Sequence, residues 1–349
     1  MRDLIERLYR EHTLPPDKLR ILLTQCDEEH LTLIRQKACE VSQKHFGNKI
    51  YIRGLIEIGN CCHNDCYYCG IRRSNSHIER YRLAKEDILA CCEEGYNLGF
   101  RTFVMQGGED NRLTDSRMID IISTIRKTYP DVAITLSLGE KDTRTYQQFY
   151  EAGANRYLLR HETHNEQHYR LLHPSGMSLS NRLRCLNDLK QIGFQTGTGI
   201  MVGSPGQTVD HLIEDILFIE SFRPQMIGIG PFLPHHETPF SDRPAGRLQQ
   251  TLLLLSIFRL MHPQALIPST TALATLLPEG RELGILSGAN VVMPNLSPPQ
   301  QRYKYALYDN KASMGAEAAE GLKLLDDRLK AIGYAIDKSR GDYFEETTI

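Results

Sequence analysis

From residue 50 onward, short apolar runs rich in β-branched residues alternate with longer stretches of helical periodicity. The runs predicted to be strands are Ile50–Ile58, Thr102–Gln106, Ala133–Leu138, Arg156–Leu159, Gln195–Met201, Met226–Ile229, Ala265–Pro268 and Asn290–Met293. Parallel strands need long crossovers, usually helices, so this alternation indicates a parallel sheet in an α/β protein. Eight such units fit a closed (βα)8 barrel of the TIM type. Because the last two runs are the weakest, a partial barrel of six units stays open as the alternative.

The segments on either side of this alternation have a helical pattern. Apolar positions Leu31, Leu33, Ile34, Ala38 and Val41 fall roughly on one face of a helix that ends near Gly47. After about residue 312 the chain is polar and again helical in pattern, and it ends in a charged tail typical of a disordered terminus. The predicted units are therefore a helical N-terminal extension over 1–47, the barrel over 48–311 and a helical segment with a tail over 312–349.

Helical patterns also fill the gaps between the predicted strands. The clearest spans 208–221, where Thr208 is a suitable cap. Its predicted buried stripe consists of Val209, Leu212, Ile213, Ile216 and Leu217. The gap between the fourth and fifth strands has room for two helices.

Composition and charge exclude several classes of protein. The chain is 41% hydrophobic and its net charge is −2, so nothing indicates a surface for nucleic acid or for a membrane. No apolar run approaches the roughly 20 residues that cross a bilayer. The N-terminus is amphipathic and carries acidic residues, unlike a secretory signal. We therefore expect a cytoplasmic protein.

Four of the nine cysteines fall within residues 61–69, in the loop after the first predicted strand. A chain of this length builds its own core without disulfides, so the crowding indicates metal ligation. Counted from Cys62, the spacing is CxxxCxxC, with Cys66 and Cys69. Three thiolates on one loop suit three irons of a cubane cluster and leave the fourth iron open. A structural zinc site with His63 as fourth ligand and simple core packing are the weaker alternatives, and Cys61 is out of register.

This loop resembles that of the radical S-adenosylmethionine (SAM) superfamily, in which an aromatic residue, here Tyr68, precedes the last cysteine. The resemblance implies one 4Fe–4S cluster whose open iron binds the amino and carboxylate groups of SAM. One electron from the cluster then cleaves SAM to a 5′-deoxyadenosyl radical. The cofactor performs the difficult chemistry while the protein positions the reactants and excludes water.

Further motifs resemble SAM contacts of the same superfamily. Gly107-Gly108-Glu109 ends the second strand, where glycines allow close backbone approach and the carboxylate suits an ammonium group. The fifth strand resembles the superfamily's GxIxGxxE pattern, although Gly206 stands where that pattern has Glu. The residues that the resemblance assigns to SAM are Tyr68, Gln106, Gly108, Glu109, Ser137, Glu162, Arg182 and Met201.

Several longer strings are similar to those of one family, the HydE maturases of FeFe hydrogenase. These strings are Thr135–Glu140, Tyr157–Thr163, Gly228–His235, Ile267–Thr271 and Ala289–Asn295. The resemblance implies a cysteine-bound iron carbonyl cyanide substrate and transient contact with a tyrosine-cleaving maturase, a scaffold GTPase and an electron donor. The pocket positions that it implies are Thr135, Arg160, Met226, Thr270, Thr271, Tyr305 and Tyr308. A single buried Arg among hydroxyl groups suits an anionic complex.

Some relatives carry a second cluster near the C-terminus, but residues 311–324 contain no Cys, so we expect only one.

Three other functions stay open. The nearest rival is an amino-acid mutase like methylornithine synthase, because a shared fold does not fix the substrate. Biotin synthase is less favoured, because it needs further cysteines inside the barrel. A non-catalytic iron–sulfur carrier would need no SAM-binding motifs.

Overall fold

The computed structural model describes residues 1–344. The helices are α1 Arg2–Glu11, α2 Pro16–Gln25, α3 Glu28–Phe46, α4 Lys85–Leu98, α5 Asp115–Thr128, α6 Thr143–Glu151, α7 Glu166–Leu172, α8 Leu179–Ile192, α9 Val209–Phe222, α10 Leu248–Met261, α11 Thr271–Leu276, α12 Gly280–Ile285, α13 Pro299–Arg302 and α14 Leu322–Ala331. The strands are β1 Lys49–Ile52, β2 Gly54–Gly59, β3 Thr102–Gly107, β4 Ala133–Ser137, β5 Arg156–Leu158, β6 Gln195–Thr198, β7 Met201–Val202, β8 Met226–Ile227, β9 Gly230–Pro231, β10 Val291–Val292 and β11 Ala335–Asp337. Two short 3₁₀ turns, Gly315–Glu317 and Ala319–Gly321, precede α14. Within residues 1–344, no helix combines the length and the apolarity needed to cross a membrane. The last five residues of the predicted tail, 345–349, lie outside the described part.

The parallel strands close into a complete barrel. Strands β2, β3, β4, β5, β6 and β8 form one parallel sheet in that order, and β1 pairs with β10. Parallel bridges from Met226 to Leu266 and from Pro268 to Val291 complete the circle. The predicted (βα)8 barrel is therefore confirmed, and the six-unit alternative is wrong. The seventh position consists of isolated bridges rather than a regular strand, since Pro268 has no N–H to donate.

The N-terminal extension consists of three helices, α1 to α3, that cover one side of the barrel. The carboxylate of Asp27 caps α3 by accepting from the backbone N–H of His30, and α3 ends at Gly47 with φ 61°. Ile34 and Ala38 are fully buried in the same apolar cluster as Leu254 of α10. Helix α10 is almost wholly buried because the extension lies over it.

The helices between the strands agree with the sequence pattern. The Thr208 hydroxyl caps α9 by accepting from the N–H of His211, and Leu212 and Ile216 are buried. Helices α7 and α8 occupy the gap between β5 and β6. This arrangement brings the carboxyl ends of all barrel strands to one face of the molecule.

The last described segment closes the opposite face. Strand β11 pairs in parallel with β1, which joins the predicted C-terminal segment to the barrel. The residues that follow β11 bind Arg156 at the start of β5. This arginine donates to the carbonyls of Arg340 at 2.9 Å and Gly341 at 3.1 Å, and to the Asp342 carboxylate at 2.7 Å. The sequence pattern contained no sign of this strand. The barrel interior is thus closed at the amino ends of its strands.

Candidate active site at the carboxyl ends of the barrel strands

A cavity of about 340 Å³ lies at the carboxyl ends of the barrel strands. It is lined by most of the residues that the sequence predicted for the cluster, for SAM and for the substrate. These are Cys66, Tyr68, Cys69, Gln106, Gly108, Glu109, Ser137, Arg160, Glu162, Arg182, Met201, Thr270, Thr271, Tyr305 and Tyr308. Carboxyl ends of parallel strands converge in a barrel, which explains how positions so distant in sequence come to share one space.

Two predicted substrate residues do not line this cavity. Thr135 lies in the middle of β4 and is buried, and its hydroxyl has no hydrogen-bond partner in the described part of the chain. Met226 begins β8, and its sulfur accepts from Nη1 of Arg53 at 3.2 Å. Both therefore lie deeper in the barrel, nearer the amino ends of the strands.

The three predicted iron ligands share the loop between β2 and α4, and all three thiols are free. Cys66 and Cys69 line the cavity. The loop offers three thiols in this register, whereas a structural zinc site takes four protein ligands. Burial raises the pKa of the Cys69 thiol to about 12, so stable thiolates there need a compensating cationic centre. This donor set fits a multi-iron cluster better than zinc.

The Gly-Gly-Glu turn after β3 packs directly beneath the cysteine loop. The N–H of His63 donates to the carbonyl of Glu109 at 2.8 Å. A Cβ on Gly108 would lie 2.7 Å from Cβ of Cys62 and closer still to the carbonyl of Cys61. Only glycine permits this approach. Cys61 itself is buried, and its thiol donates to the carbonyl of Tyr81 at 3.7 Å. This contact agrees with the prediction that Cys61 is not one of the three cluster ligands.

Glu109 is held in place from the next strand. Gly139 follows β4 with φ 74°, and a Cβ there would lie closer than 3.0 Å to the Glu109 side chain. Burial raises the pKa of Glu109, while the charge of Arg182 opposes the rise. Arg182 in turn donates from Nε to Glu140 at 2.6 Å and from Nη1 to the carbonyl of Arg160 at 2.7 Å. Glu140 was not predicted as a site residue, although it ends one of the strings similar to HydE.

Glu162 has an unusual backbone conformation, with φ 66°. Its N–H donates to the carbonyl of Gly199 at 3.1 Å, which places it beside the fifth-strand motif. Its carboxylate accepts from Nη2 of Arg160 at 2.7 Å. Arg160 is thus a half-buried rather than a buried arginine, with 31% of its side chain exposed, and Glu162 gives it an anionic partner in the protein. A non-glycine residue with positive φ is costly, and such strain is concentrated at functional sites.

Comparison with known proteins agrees with this geometry. Residues 56–219 match the radical SAM superfamily. The chain is 41% identical over 310 residues to the FeFe hydrogenase maturase subunit HydE of Thermotoga maritima, covering 89% of this chain and 88% of that protein.

The chain belongs to the HydE family. It is therefore a radical SAM enzyme, and its cofactors are a 4Fe–4S cluster and SAM. The 3-methylornithine synthase of Methanosarcina barkeri is more distant, at 28% identity over 331 residues, with 94% of this chain and 92% of that protein covered. The crystal structure of methylornithine synthase (PylB) superposes with a TM-score of 0.85 at 27% identity, covering 96% of this chain and 97% of that chain.

In this HydE-family chain a second buried charge pair borders the cavity, and the sequence analysis missed it. Glu57 in β2 is fully buried and forms an ion pair with Lys311. Nδ2 of Asn295 also donates to Glu57 at 2.9 Å. Lys311 lines the cavity and donates to the carbonyl of Tyr305 at 3.0 Å. A glutamate inside an otherwise apolar strand was the signal that could have pointed to this pair.

A buried carboxyl group, that of Asp215, supports the loop that follows Glu162. Asp215 of α9 accepts from the N–H of His164 at 2.5 Å and lies 3.4 Å from Nε2 of His161. Burial raises the pKa of Asp215 to about 8. It also lowers the pKa of His161 to about 3. The pair is thus uncharged near neutral pH and stabilises the loop through hydrogen bonds.

Outside the cavity, His235, His236 and Asp309 bring three ligand atoms within 4.8 Å. The imidazole rings stack with centroids 4.5 Å apart, so their in-plane lone pairs do not converge on one point. Nδ1 of His235 already accepts from the N–H of Glu237 at 3.0 Å, which leaves the proton on Nε2. This group therefore links two loops at the barrel mouth rather than forming a metal site in the HydE fold.

Proposed function

We propose that this enzyme acts in assembly of the two-iron subcluster of FeFe hydrogenase, on a cysteine-bound iron carbonyl cyanide complex. The observation that carries the proposal is the cavity itself, because Arg160, Thr270 and Tyr305 line the same cavity as the SAM-binding motifs. A complex that bears cyanide and carboxylate groups is anionic, and a guanidinium among hydroxyl donors would bind it.

The cofactors would be held by residues of two neighbouring loops. Cys62, Cys66 and Cys69 would hold the cluster, and Glu109 would accept from the SAM amino group. When bound, the cluster supplies the electron that cleaves SAM to a 5′-deoxyadenosyl radical. The chain's own part is to orient SAM above the cavity and to keep water from the reactive carbon.

The pair between Arg160 and Glu162 would couple the two ligands. If the ribose hydroxyls of SAM engage the Glu162 carboxylate, Arg160 loses part of its charge compensation. Within residues 1–344, its Nε has no hydrogen-bond partner. A half-buried cation that loses its partner attracts another anion, so SAM binding would favour entry of an anionic substrate. Thr271 and Tyr308, which also line the cavity, would supply further polar contacts.

The substrate implies partners. A tyrosine-cleaving maturase would supply the iron complex, a scaffold GTPase would receive the product, and an electron donor would reduce the cluster. All of these encounters would be transient and would take place in the cytoplasm.

The decisive experiment is complementation of hydrogenase maturation in a strain that lacks its own maturase of this family. Wild-type chain should restore hydrogenase activity. Arg160→Leu should bind the cluster and SAM but fail to restore it. Arg184→Leu removes an exposed arginine that pairs with Asp188 and serves as the matched control. Normal maturation by Arg160→Leu would show that this arginine is structural.

The amino-acid mutase is the second candidate, because the match to methylornithine synthase covers nearly the whole chain. Under that alternative, reduced protein incubated with SAM and an amino-acid substrate would form 3-methylornithine. If wild type fails complementation yet cleaves SAM and forms 3-methylornithine, the mutase replaces the maturase. If no 5′-deoxyadenosine forms under any reducing condition, an iron–sulfur carrier becomes the better account.

A further inference from the structure

Arg80 donates four hydrogen bonds to backbone carbonyls of the cysteine loop. Its Nη1 reaches the carbonyls of Asn60 at 2.6 Å and Ile71 at 2.8 Å. Its Nη2 reaches those of Arg72 at 2.6 Å and Asn75 at 2.9 Å. The planar guanidinium fork thus binds both ends of the loop at once.

These acceptors enclose the cysteines in sequence. Asn60 comes directly before the first cysteine of the loop, and Ile71 lies two positions after Cys69. Arg80 therefore holds the two ends of residues 60–75 together through hydrogen bonds from one side chain. This loop also contacts the mouth of the barrel, because Nδ2 of Asn60 donates to the carbonyl of Lys304 at 2.7 Å.

Arg80 has no counter-charge among residues 1–344. The nearby carboxylates are already paired, since Asp65 binds Arg72 and Glu79 binds Lys304. Neutral carbonyl groups do not cancel the positive charge of a half-buried guanidinium, which can therefore attract other anions nearby. Nη1 of Arg80 donates to the carbonyl of Ile71, two positions after Cys69, so this charge lies beside the cysteine loop.

We propose that Arg80 is a positioning residue for the 4Fe–4S cluster and that its charge raises the cluster's reduction potential. A cluster on three thiolates carries net negative charge, and reduction by one external electron adds to it. A fixed cation therefore favours the reduced state, as net charge and hydrogen bonding do in iron–sulfur proteins generally. The four hydrogen bonds also hold the loop in the conformation that presents three sulfurs together.

Three variants separate charge from hydrogen bonding. Arg80→Gln keeps a donor but removes the charge, and Arg80→Lys keeps the charge but cannot span four carbonyls. Arg73→Gln removes an exposed arginine from the same loop and serves as control. The measurements are the midpoint potential in an EPR-monitored dithionite titration of reconstituted protein and the rate of iron release to a chelator.

At a fixed ambient potential, Arg80→Gln should lower the reduced-to-oxidised ratio at least tenfold, which is about 59 mV for one electron. Arg80→Lys should keep the wild-type potential but release iron several-fold faster. A potential in Arg80→Gln equal to that of Arg73→Gln would overturn the charge effect. Iron release from Arg80→Lys at the wild-type rate would overturn the positioning role.

A variant that loads no iron still decides the question. Hydrogen exchange of the cluster-free protein should then show faster exchange over residues 60–75 in Arg80→Gln than in Arg73→Gln. Equal exchange would refute the positioning role, because the loop would be ordered without its central cation. The inference rests on the cluster and not on the substrate, so its outcome is independent of hydrogenase complementation.

Discussion

Replacing Gly139 with alanine tests whether Glu109 binds SAM. The new Cβ would overlap the Glu109 side chain, whose nearest atoms would lie closer than 3.0 Å. The backbone at this position has φ 74°, which only glycine adopts without strain. The carboxylate must therefore move, while the cysteines, on another loop, keep their positions.

The expected loss follows from the interaction that is displaced. A charge-assisted hydrogen bond to a carboxylate contributes about 1.5–3 kcal/mol. At about 1.4 kcal/mol per factor of ten, its loss weakens SAM binding by roughly 10- to 150-fold. The left-handed backbone adds about 1–2 kcal/mol of destabilisation of the fold, which is small enough for the protein to stay folded.

The assay is equilibrium binding of SAM to anaerobically reconstituted protein, with iron content measured on the same sample. Gly176→Ala is the matched control, because a Cβ there has nothing within 4 Å and the residue is exposed. Gly139→Ala should load iron normally and bind SAM weakly, whereas Gly176→Ala should match wild type in both. Unchanged SAM affinity in Gly139→Ala would refute the assignment of Glu109.

Four further predictions concern the same face of the barrel. Cys61→Ala should retain the cluster and Cys69→Ala should lose it, as iron analysis will show; the reverse result would contradict the CxxxCxxC register. Gly108→Ala should lower the iron content, because its Cβ would push the cysteine loop outward; full loading would disprove the close packing. Glu162→Ala should weaken SAM binding and leave the cluster formed; unchanged SAM affinity would show that this carboxylate serves only the fold. Finally, burial raises the pKa of Asp215 to about 8, so the folded protein retains a proton that the unfolded chain releases near pH 4. The contribution of this group to stability therefore falls as pH rises between those values. Relative to wild type, the free energy of unfolding of Asp215→Asn should rise by up to about 1.4 kcal/mol per pH unit in urea unfolding of cluster-free protein, and parallel pH profiles would contradict this prediction.

The sequence predicted the features that depend on local pattern. Alternating runs indicated the barrel, Thr208 marked the start of α9, and the spacing of Cys62, Cys66 and Cys69 indicated an iron ligand set. Each of these signals is carried by residues close together in the chain. Local chemistry therefore sufficed to predict them.

Long-range pairing was beyond that reasoning. Nothing near Glu57 in sequence indicates that its partner is Lys311, and nothing near Arg182 indicates Glu140. Depth along a strand was equally hidden, which is why Thr135 was predicted at the cavity although it lies below it. Strand β11 was missed because three residues of moderate hydrophobicity pair with β1 only once the barrel exists.

The closure of the barrel by its last described segment has a consequence for how solvent reaches the interior. Arg156 is fully buried, and its carbonyl and carboxylate partners all lie in residues 340–342. A chain truncated before β11 would lose these partners and leave a buried guanidinium without its counter-charge, which is costly. Such a truncation would also open the amino ends of the strands, so that solvent could enter the reaction space from the side opposite the SAM-binding motifs.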